Sequence, residues 1–169
     1  AYAAEKHRWQ RRAGYEPLPY INHLIKVSNI LIQEGKEEDR DLLLASILHD
    51  IVEDTDVSPE ELAQTFGQKV ANTVVELTDD MSLDYAIRKQ LQVENVKKLS
   101  DSAKKIRIAD KIGNIRDIVD YPIDWPESKK KAYIKNAIEI VDQIRGIHPQ
   151  LEACFNETVQ YAKSKLNDV

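Results

Sequence analysis

The apolar run Leu42-Leu43-Leu44-Ala45-Ser46-Ile47-Leu48 is followed directly by His49-Asp50-Ile51-Val52-Glu53-Asp54-Thr55. An apolar run of this kind is typical of a helix that is buried on most of its surface. A buried carboxylate is costly unless a positive charge pairs with it. The ionisable groups at the end of this helix therefore require a cation, and a metal ion is the simplest way to supply one.

The spacing of the ionisable residues assigns them two kinds of role. We predict one continuous helix from Glu37 to Thr55, on which Glu53 lies one turn beyond His49. Asp54 lies one turn beyond Asp50 in the same way. One face then offers two metal ligands, and the two carboxylates behind them can handle protons. The alternative is an ordinary ion pair at a helix end, with both of these carboxylates facing water.

Two further candidate ligands, His23 and Asp110, each lie in a segment with helical periodicity of its own. His23 is near the start of a helix predicted from Tyr20 to Glu34, where a lone histidine is either a ligand or a capping or packing residue. Asp110 lies among isoleucines in a helix predicted from Ala103 to Val119. An acid there is either paired with a basic neighbour or bound to a metal, and the residues alone leave both alternatives open.

Composition limits the class of protein. The 169 residues predict a single domain, 1–169, with one substantial core. Only five Gly and six Pro, with 42% hydrophobic and 31% charged residues, predict a soluble all-α protein. The net charge of -5 argues against a nucleic-acid partner, and no apolar stretch is long enough to cross a membrane. One cysteine excludes an internal disulfide, so we expect a cytoplasmic location.

Local signals predict other helix boundaries and turns. The first helix is predicted from Ala1 to Arg12. Ser58 is predicted to be the N-cap of a helix beginning at Pro59, with Glu61 closing a capping box. The segment Thr78-Asp79-Asp80 has two acids that could stand near a metal, but its composition favours a turn.

Charged residues in the C-terminal part have less specific interpretations. Lys129-Lys130-Lys131 opens a helix predicted to run to Arg145. Positive charges at a helix start oppose the helix dipole, so these lysines are either exposed surface residues or neighbours of a phosphate. His148, just before the last helix at Pro149, is predicted to lie on the surface.

The candidate ligands form a set of two nitrogen and two oxygen donors from three predicted helices: His23, His49, Asp50 and Asp110. Such a mixed set suits Mn, Fe or Zn better than Ca. The order of one His, then His-Asp, then a distant Asp resembles the HD superfamily of metal-dependent phosphohydrolases. That resemblance implies an HD-domain helical bundle.

The residues around these ligands resemble the hydrolase domain of RelA/SpoT-type enzymes, which hydrolyse the guanosine alarmones ppGpp and pppGpp. The matching motifs are His7 with Gln10-Arg11-Arg12, Pro19-Tyr20-Ile21-Asn22-His23, Leu48-His49-Asp50 with Val52-Glu53-Asp54-Thr55, and Ala109-Asp110-Lys111 with Asn114-Ile115-Arg116. The match runs from about Tyr2 to Gly146. Since the chain is too short for the synthetase and regulatory domains of the long enzymes, it resembles the small, stand-alone alarmone hydrolases.

The resemblance implies a role for each matching residue. The metal would be Mn²⁺, held by His23, His49, Asp50 and Asp110. Glu53 and Asp54 would orient and deprotonate the attacking water. The implied substrate-binding residues are Arg12, Lys111, Asn114 and Tyr133. Arg12 resembles the arginine that contacts the base, and Asn114 and Tyr133 match positions near the sugar and phosphates. The implied reaction is attack of water on the 3′-diphosphate, releasing pyrophosphate and GDP or GTP.

Two departures and two alternatives accompany this interpretation. The segment 14–18 is longer than in the long bacterial enzymes, and Gly113 stands where the family often has a larger residue.

The same site could act on an adenosine alarmone or on the 2′-phosphate of NADPH. A third hypothesis is a silent nucleotide-binding or partner-regulating module, against which the intact Glu53 and Asp54 argue. The sequence makes no prediction of oligomeric state.

Overall fold

The computed structural model describes residues 1–14, 17–121 and 123–166. In these residues the α-helices are α1 (Tyr2–Lys6), α2 (Ile21–Gln33), α3 (Arg40–Leu48), α4 (Ile51–Asp54), α5 (Pro59–Phe66), α6 (Gln68–Leu77), α7 (Tyr85–Asn95), α8 (Asp101–Asp120), α9 (Glu127–Asp142) and α10 (Pro149–Lys165). The described part contains no β-strand beyond an isolated bridge between Arg11 and Pro19. The prediction of an all-α fold is confirmed.

Helix α8 lies at the centre of the bundle, where it packs against α2, α3, α6, α9 and α10. Its buried apolar side chains are Ala103, Ile106, Ile108, Ala109, Ile112, Ile115 and Ile118. Because this helix is surrounded on several sides, any polar residue in its middle must find its partners inside the protein. None of the described helices is long and apolar enough to cross a membrane.

Side-chain caps set where the short helices begin. Helix α3 begins at Arg40 rather than at the predicted Glu37, because the Asp39 carboxylate accepts hydrogen bonds from two backbone N–H groups of its first turn, at 2.8 and 3.0 Å. Ser58 caps α5 as predicted, accepting from the backbone of Glu61 at 3.2 Å. The Glu61 side chain accepts instead from the Tyr2 hydroxyl, so it ties α1 to α5.

The helix predicted from Glu37 to Thr55 is interrupted at the His-Asp motif. Asp50 has φ −99° and ψ 0°, outside the α region, so α3 ends before it and α4 is a separate turn of four residues. Its carboxylate accepts a hydrogen bond from the Tyr20 hydroxyl at 2.7 Å. The backbone N–H of Asp54 still donates to the carbonyl of Asp50 at 2.9 Å. Asp54 therefore still lies one turn beyond Asp50, as predicted, although the helix is not continuous.

The first helix ends much earlier than the predicted Arg12, at Lys6. The following segment folds back on itself, because the N–H of Tyr20 donates to the carbonyl of Gln10 at 3.1 Å and the N–H of Arg12 to the carbonyl of Leu18 at 2.9 Å. This pairing brings Arg12 next to helix α8. The adjoining Tyr15 and Glu16, part of the longer segment 14–18, lie outside the described residues.

The prediction that His148 lies on the surface is wrong. Its Nδ1 atom accepts a hydrogen bond from the backbone N–H of Leu151 at 3.2 Å and so caps α10. Its Nε2 atom lies 3.2 Å from the Glu37 carboxylate, and both side chains are largely buried. The residue is enclosed because the start of α10 packs against the connection between α2 and α3.

Candidate active site

His49 closes helix α3 with its two ring nitrogens in different surroundings. Nδ1 lies 2.8 Å from the carbonyl oxygen of Ser46 and must donate to it, because a carbonyl can only accept. In the neutral ring, Nε2 then carries the lone pair and is the atom that can bind a metal. It lies 3.2 Å from Oδ2 of Asp50 and 3.8 Å from Oδ1 of Asp110.

His23 approaches the same point from helix α2. Its Nε2 atom is 3.2 Å from Oδ1 of Asp110 and 3.8 Å from Oδ2 of Asp50. Burial lowers the pKa of His23, which favours the neutral imidazole that binds metals. Donor atoms of His23, His49 and Asp110 all lie within 4.8 Å of one another. The structure therefore brings together the four residues that the sequence singles out as ligands.

The donor set of this cluster calls for a positive charge. Ionised carboxylates only accept hydrogen bonds, and Nε2 of His49 is buried without a hydrogen-bond partner. Burial lowers the pKa of His49, but the carboxylates of Asp50 and Asp110 outweigh this and raise it to about 10. A site of two nitrogen and two oxygen donors that attracts positive charge so strongly fits a divalent metal ion.

Neighbouring side chains orient both carboxylates of the cluster. Asp50 accepts from the Tyr20 hydroxyl, and Asp110 accepts from Nδ2 of Asn114 at 2.6 Å. Nζ of Lys111 lies 3.3 Å from the other oxygen of Asp110. One oxygen of Asp110 therefore pairs with a lysine, as the first alternative predicts, while the other faces the imidazoles, and binding of a metal by Asp110 stays a prediction. Such outer hydrogen bonds fix the geometry of metal-binding groups.

The two acids beyond the cluster differ in exposure. Glu53 is half-buried and accepts from the backbone N–H of Asp79 at 2.9 Å. Asp54 is exposed and accepts from Nε2 of Gln10 at 2.9 Å. Desolvation, followed by nearby acids including Asp50, raises the pKa of both carboxyl groups. A carboxyl group with a raised pKa exchanges protons more readily near neutral pH.

A cavity of about 680 Å³ opens next to the cluster, and its wall includes His23, Asp50, Glu53 and Asp110. A volume of this size is in the range of small-molecule sites. Its cationic wall residues are Arg12, Lys26, Lys89, Arg107, Lys111 and Lys129. Lysine and arginine side chains are the usual partners of phosphate groups, so the cavity suits a phosphorylated ligand.

All four predicted substrate-binding residues line this cavity. Arg12 donates to Oδ1 of Asn114 at 2.6 Å and to Oδ2 of Asp117 at 3.0 Å. Tyr133 faces Lys111, whose Nζ lies 5.5 Å from the centre of its ring. Asn114 thus links the arginine to the carboxylate of Asp110, in addition to any contact with a ligand.

Sequence reasoning missed several residues of the cavity. Asp117 holds Arg12 and also Lys26, and its spacing of seven from Asp110 on one helix could have revealed it. Lys89 lies on α7, and no sequence signal marks it. Desolvation, followed by the nearby Lys111, lowers the pKa of Lys89 to about 8.

Comparisons with known proteins agree with this geometry. The profile of the HD domain family matches residues 1–144. The chain is 45% identical over 157 residues to "Guanosine-3′,5′-bis(diphosphate) 3′-pyrophosphohydrolase MESH1" of Drosophila melanogaster, covering 92% of this chain and 88% of that protein. The Homo sapiens protein of the same name is 43% identical over 152 residues, covering 89% and 85% of the two chains.

A solved structure supports the same assignment. It is described as "A metazoan ortholog of SpoT hydrolyzes ppGpp and plays a role in starvation responses". It matches with a TM-score of 0.91 and 43% identity, over 95% of this chain and 90% of that one. The predicted resemblance to RelA/SpoT-type hydrolases is confirmed. With its buried His and Asp cluster inside a helical bundle, the chain belongs to the HD domain family.

Proposed function

We propose that this chain is a metal-dependent hydrolase that removes the 3′-diphosphate of ppGpp and pppGpp, releasing pyrophosphate and GDP or GTP. The observation that carries the proposal is the convergence of His23, His49, Asp50 and Asp110 beside a cavity that several lysine and arginine side chains also line. The names of the similar proteins supply the substrate class. The partner is therefore a small nucleotide, and we propose that it is met in the cytoplasm.

The metal in this proposal is Mn²⁺, held by the four residues of the cluster. A mixed set of imidazole and carboxylate donors is compatible with Mn²⁺, and the resemblance to RelA/SpoT-type enzymes favours it over Zn²⁺ or Fe²⁺. When bound, such an ion supplies a Lewis acid that polarises a phosphoryl oxygen and lowers the pKa of water.

The remaining steps fall to side chains of the chain itself. Glu53 and Asp54 orient the attacking water and accept its proton, because both carboxyl groups lie next to the cluster and have raised pKa values. Lys111 offsets the charge of the diphosphate, and the other lysines and arginines of the cavity wall add to this effect. Arg12 binds the base, while Asn114 and Tyr133 contact the sugar and phosphates.

A hydrolysis assay tests the proposal. The purified chain is stripped of metal with EDTA, reloaded with Mn²⁺ and incubated with ppGpp, and the products are separated by anion exchange. We expect GDP and pyrophosphate in equal amounts, and no product in EDTA. Release of single phosphates, or no turnover with Mn²⁺, Zn²⁺ or Fe²⁺, would overturn the proposed reaction.

The same assay separates the other hypotheses. An adenosine alarmone and NADPH are supplied in parallel, and the proposal requires ppGpp or pppGpp to give the highest kcat/KM. Faster loss of phosphate from NADPH would make the chain a 2′-phosphatase at the same site. Tight binding of nucleotides without any turnover would indicate a regulatory module, although intact Glu53 and Asp54 argue against one.

A further inference from the structure

We propose that His7 and Gln10 are positioning residues, which hold the carboxylate of Asp54 in the orientation needed to handle the proton of the attacking water. This inference rests on the proposed hydrolysis for its kinetic consequence, but its structural basis is independent of the substrate. Gln10 Nε2 donates to Oδ2 of Asp54 at 2.9 Å, and Gln10 Oε1 lies 2.6 Å from Nδ1 of His7.

The chemistry of the three groups fixes the direction of both hydrogen bonds. An ionised carboxylate only accepts, so the Gln10 amide must present its NH₂ to Asp54. Its carbonyl oxygen then faces His7, whose Nδ1 must carry a proton to donate to it. His7 is 2% exposed and its Nε2 has no hydrogen-bond partner among the described residues. This arrangement predicts that Nδ1 of His7 carries a proton.

Gln10 and His7 are themselves held on several sides. The backbone N–H of Gln10 donates to the carbonyl of His7 at 3.0 Å, and its carbonyl accepts from Tyr20 at 3.1 Å. The His7 ring stacks on the Tyr20 ring with centroids 5.2 Å apart and planes 22° apart. Upstream, Tyr2 packs against Phe66 with ring centroids 5.1 Å apart. Gln10 and His7 therefore form a rigid support for Asp54.

Asp54 needs such a support more than the other residues of the site. It ends α4, which has only four residues, and short helices have little stability of their own. Asp54 is also more exposed than the residues of the cluster, so packing restricts its side chain less than theirs. A hydrogen bond from a fixed amide removes this freedom, and misplacing a reacting group by 1 Å can reduce a rate by about 100-fold.

The kinetic test compares Gln10→Ala with the wild-type chain loaded with Mn²⁺. We expect kcat for ppGpp to fall about 10- to 100-fold, as for other residues that orient a functional group. KM and the bound Mn²⁺ per chain stay unchanged, because neither the cavity wall nor the ligands are altered. Gln68→Ala is the matched control, since it removes an exposed glutamine whose hydrogen bond, among the described residues, is to Asn72, and it retains wild-type kcat.

Two further variants separate positioning from a general structural role. His7→Asn keeps an N–H donor near the position of Nδ1 and should retain most of the activity, whereas His7→Leu should lose it to the same extent as Gln10→Ala. In an Asp54→Ala background, Gln10→Ala should have no further effect on the residual kcat. Full activity of Gln10→Ala, or an equal additional loss in the Asp54→Ala background, would overturn the proposal.

An NMR measurement tests the proposal without activity. Long-range ¹H–¹⁵N spectra of the Mg²⁺-loaded chain, chosen because Mn²⁺ is paramagnetic, assign the tautomer of His7. We expect the Nδ1–H form in the wild type and its loss in Gln10→Ala. An Nε2–H form in the wild type contradicts the arrangement. If the wild type hydrolyses no nucleotide, the proposed function fails, while the tautomer still decides whether His7 and Gln10 hold Asp54.

Discussion

The two ring nitrogens of His49 make different contacts, and this difference determines what the loss of the His49 side chain would do. Nδ1 donates to Ser46 within the end of α3, and Nε2 faces the two carboxylates of the cluster. Among the described residues, the Asp54 side chain forms no hydrogen bond with His23 or His49 and accepts one from Gln10. Metal binding and proton transfer are therefore assigned to different residues that lie only five positions apart.

Because metal binding and proton transfer are assigned to different residues, we predict that two alanine variants lose activity for different reasons. His49→Ala should lose bound metal and therefore turnover, because a ligand to the ion is removed. Asp54→Ala should keep about one metal ion per chain and lose kcat by about 100- to 10,000-fold, the range for general acid–base groups. Metal analysis after gel filtration, combined with the ppGpp assay, checks both. Wild-type activity of Asp54→Ala would remove this residue from the mechanism.

The lowered pKa of Lys89 predicts that substrate capture depends on pH. Its pKa is lowered to about 8, so the free enzyme loses this positive charge as the pH rises through that value. Below it, the ammonium group is available to a phosphate. We expect kcat/KM for ppGpp, which reports the free enzyme, to decline above pH about 8 by roughly tenfold, the effect of one charge-assisted hydrogen bond.

Variants of the same lysine supply the control. Lys89→Arg stays charged over this range and should show no decline there, whereas Lys89→Gln should have a low kcat/KM at every pH. A decline above pH 8 that persists unchanged in Lys89→Gln would assign it to another group.

At the level of helices, the sequence predicted the element that carries each ligand but not every boundary. The periodicity of α8 indicated a buried helix, and the spacing of Asp110 and Asn114 placed both on one face. The interruption at Asp50 was not predicted, and it accompanies a contact that is distant in sequence, the hydrogen bond from Tyr20. The early end of α1 is likewise followed by a contact between residues distant in sequence, the backbone hydrogen bond from Tyr20 to Gln10.

The structure gives no reason for a glycine at position 113 of α8. A Cβ atom there would lie 3.6 Å from Ile30, 3.7 Å from Val27 and 3.8 Å from Lys26. These are ordinary van der Waals distances, so the contact between α8 and α2 does not require glycine. Gly113 lies one turn beyond Asp110 on α8.

The connection between α2 and α3 is tied to two other helices by Glu37. Its carboxylate lies 2.5 Å from Nζ of Lys105 and 3.2 Å from Nε2 of His148, and it is mostly buried. We predict that Glu37→Gln lowers the free energy of unfolding by about 1–3 kcal/mol, because Lys105 then lacks its counter-charge. Urea denaturation monitored by circular dichroism measures this change.

An exposed ion pair of the same bundle is the matched control. Lys69 lies 3.5 Å from Asp39 and 3.2 Å from Asp41, and all three side chains are exposed. Lys69→Gln should change the free energy of unfolding by less than about 0.5 kcal/mol. Equal effects of Glu37→Gln and Lys69→Gln would show that Glu37 does not fasten these helices together.

For the whole molecule, the core and the cluster are parts of one structure. The buried apolar side chains form one continuous core, with members from Ala3 in α1 to Ala162 in α10. The candidate ligands lie on α2, on α8 and at the α3–α4 junction. We predict a single cooperative unfolding transition, as expected of a single domain. Removing the metal should lower Tm by about 5–10 °C, because a ligand bound only to the folded state stabilises it.

Calorimetry with and without EDTA, followed by return of Mn²⁺, measures both parts of this prediction. Two separate transitions would contradict the interpretation of residues 1–169 as one domain. A Tm that does not respond to metal would mean that the cluster does not bind an ion in the folded state.

The claim on which the chemistry depends is that one divalent ion binds between His23, His49, Asp50 and Asp110. Anomalous diffraction at the manganese edge, from crystals of the chain loaded with Mn²⁺, tests it most directly. The predicted result is a single strong peak among the two imidazole Nε2 atoms and the carboxylate oxygens. No peak there, with the Asp110 carboxylate turned away from the imidazoles, would contradict it.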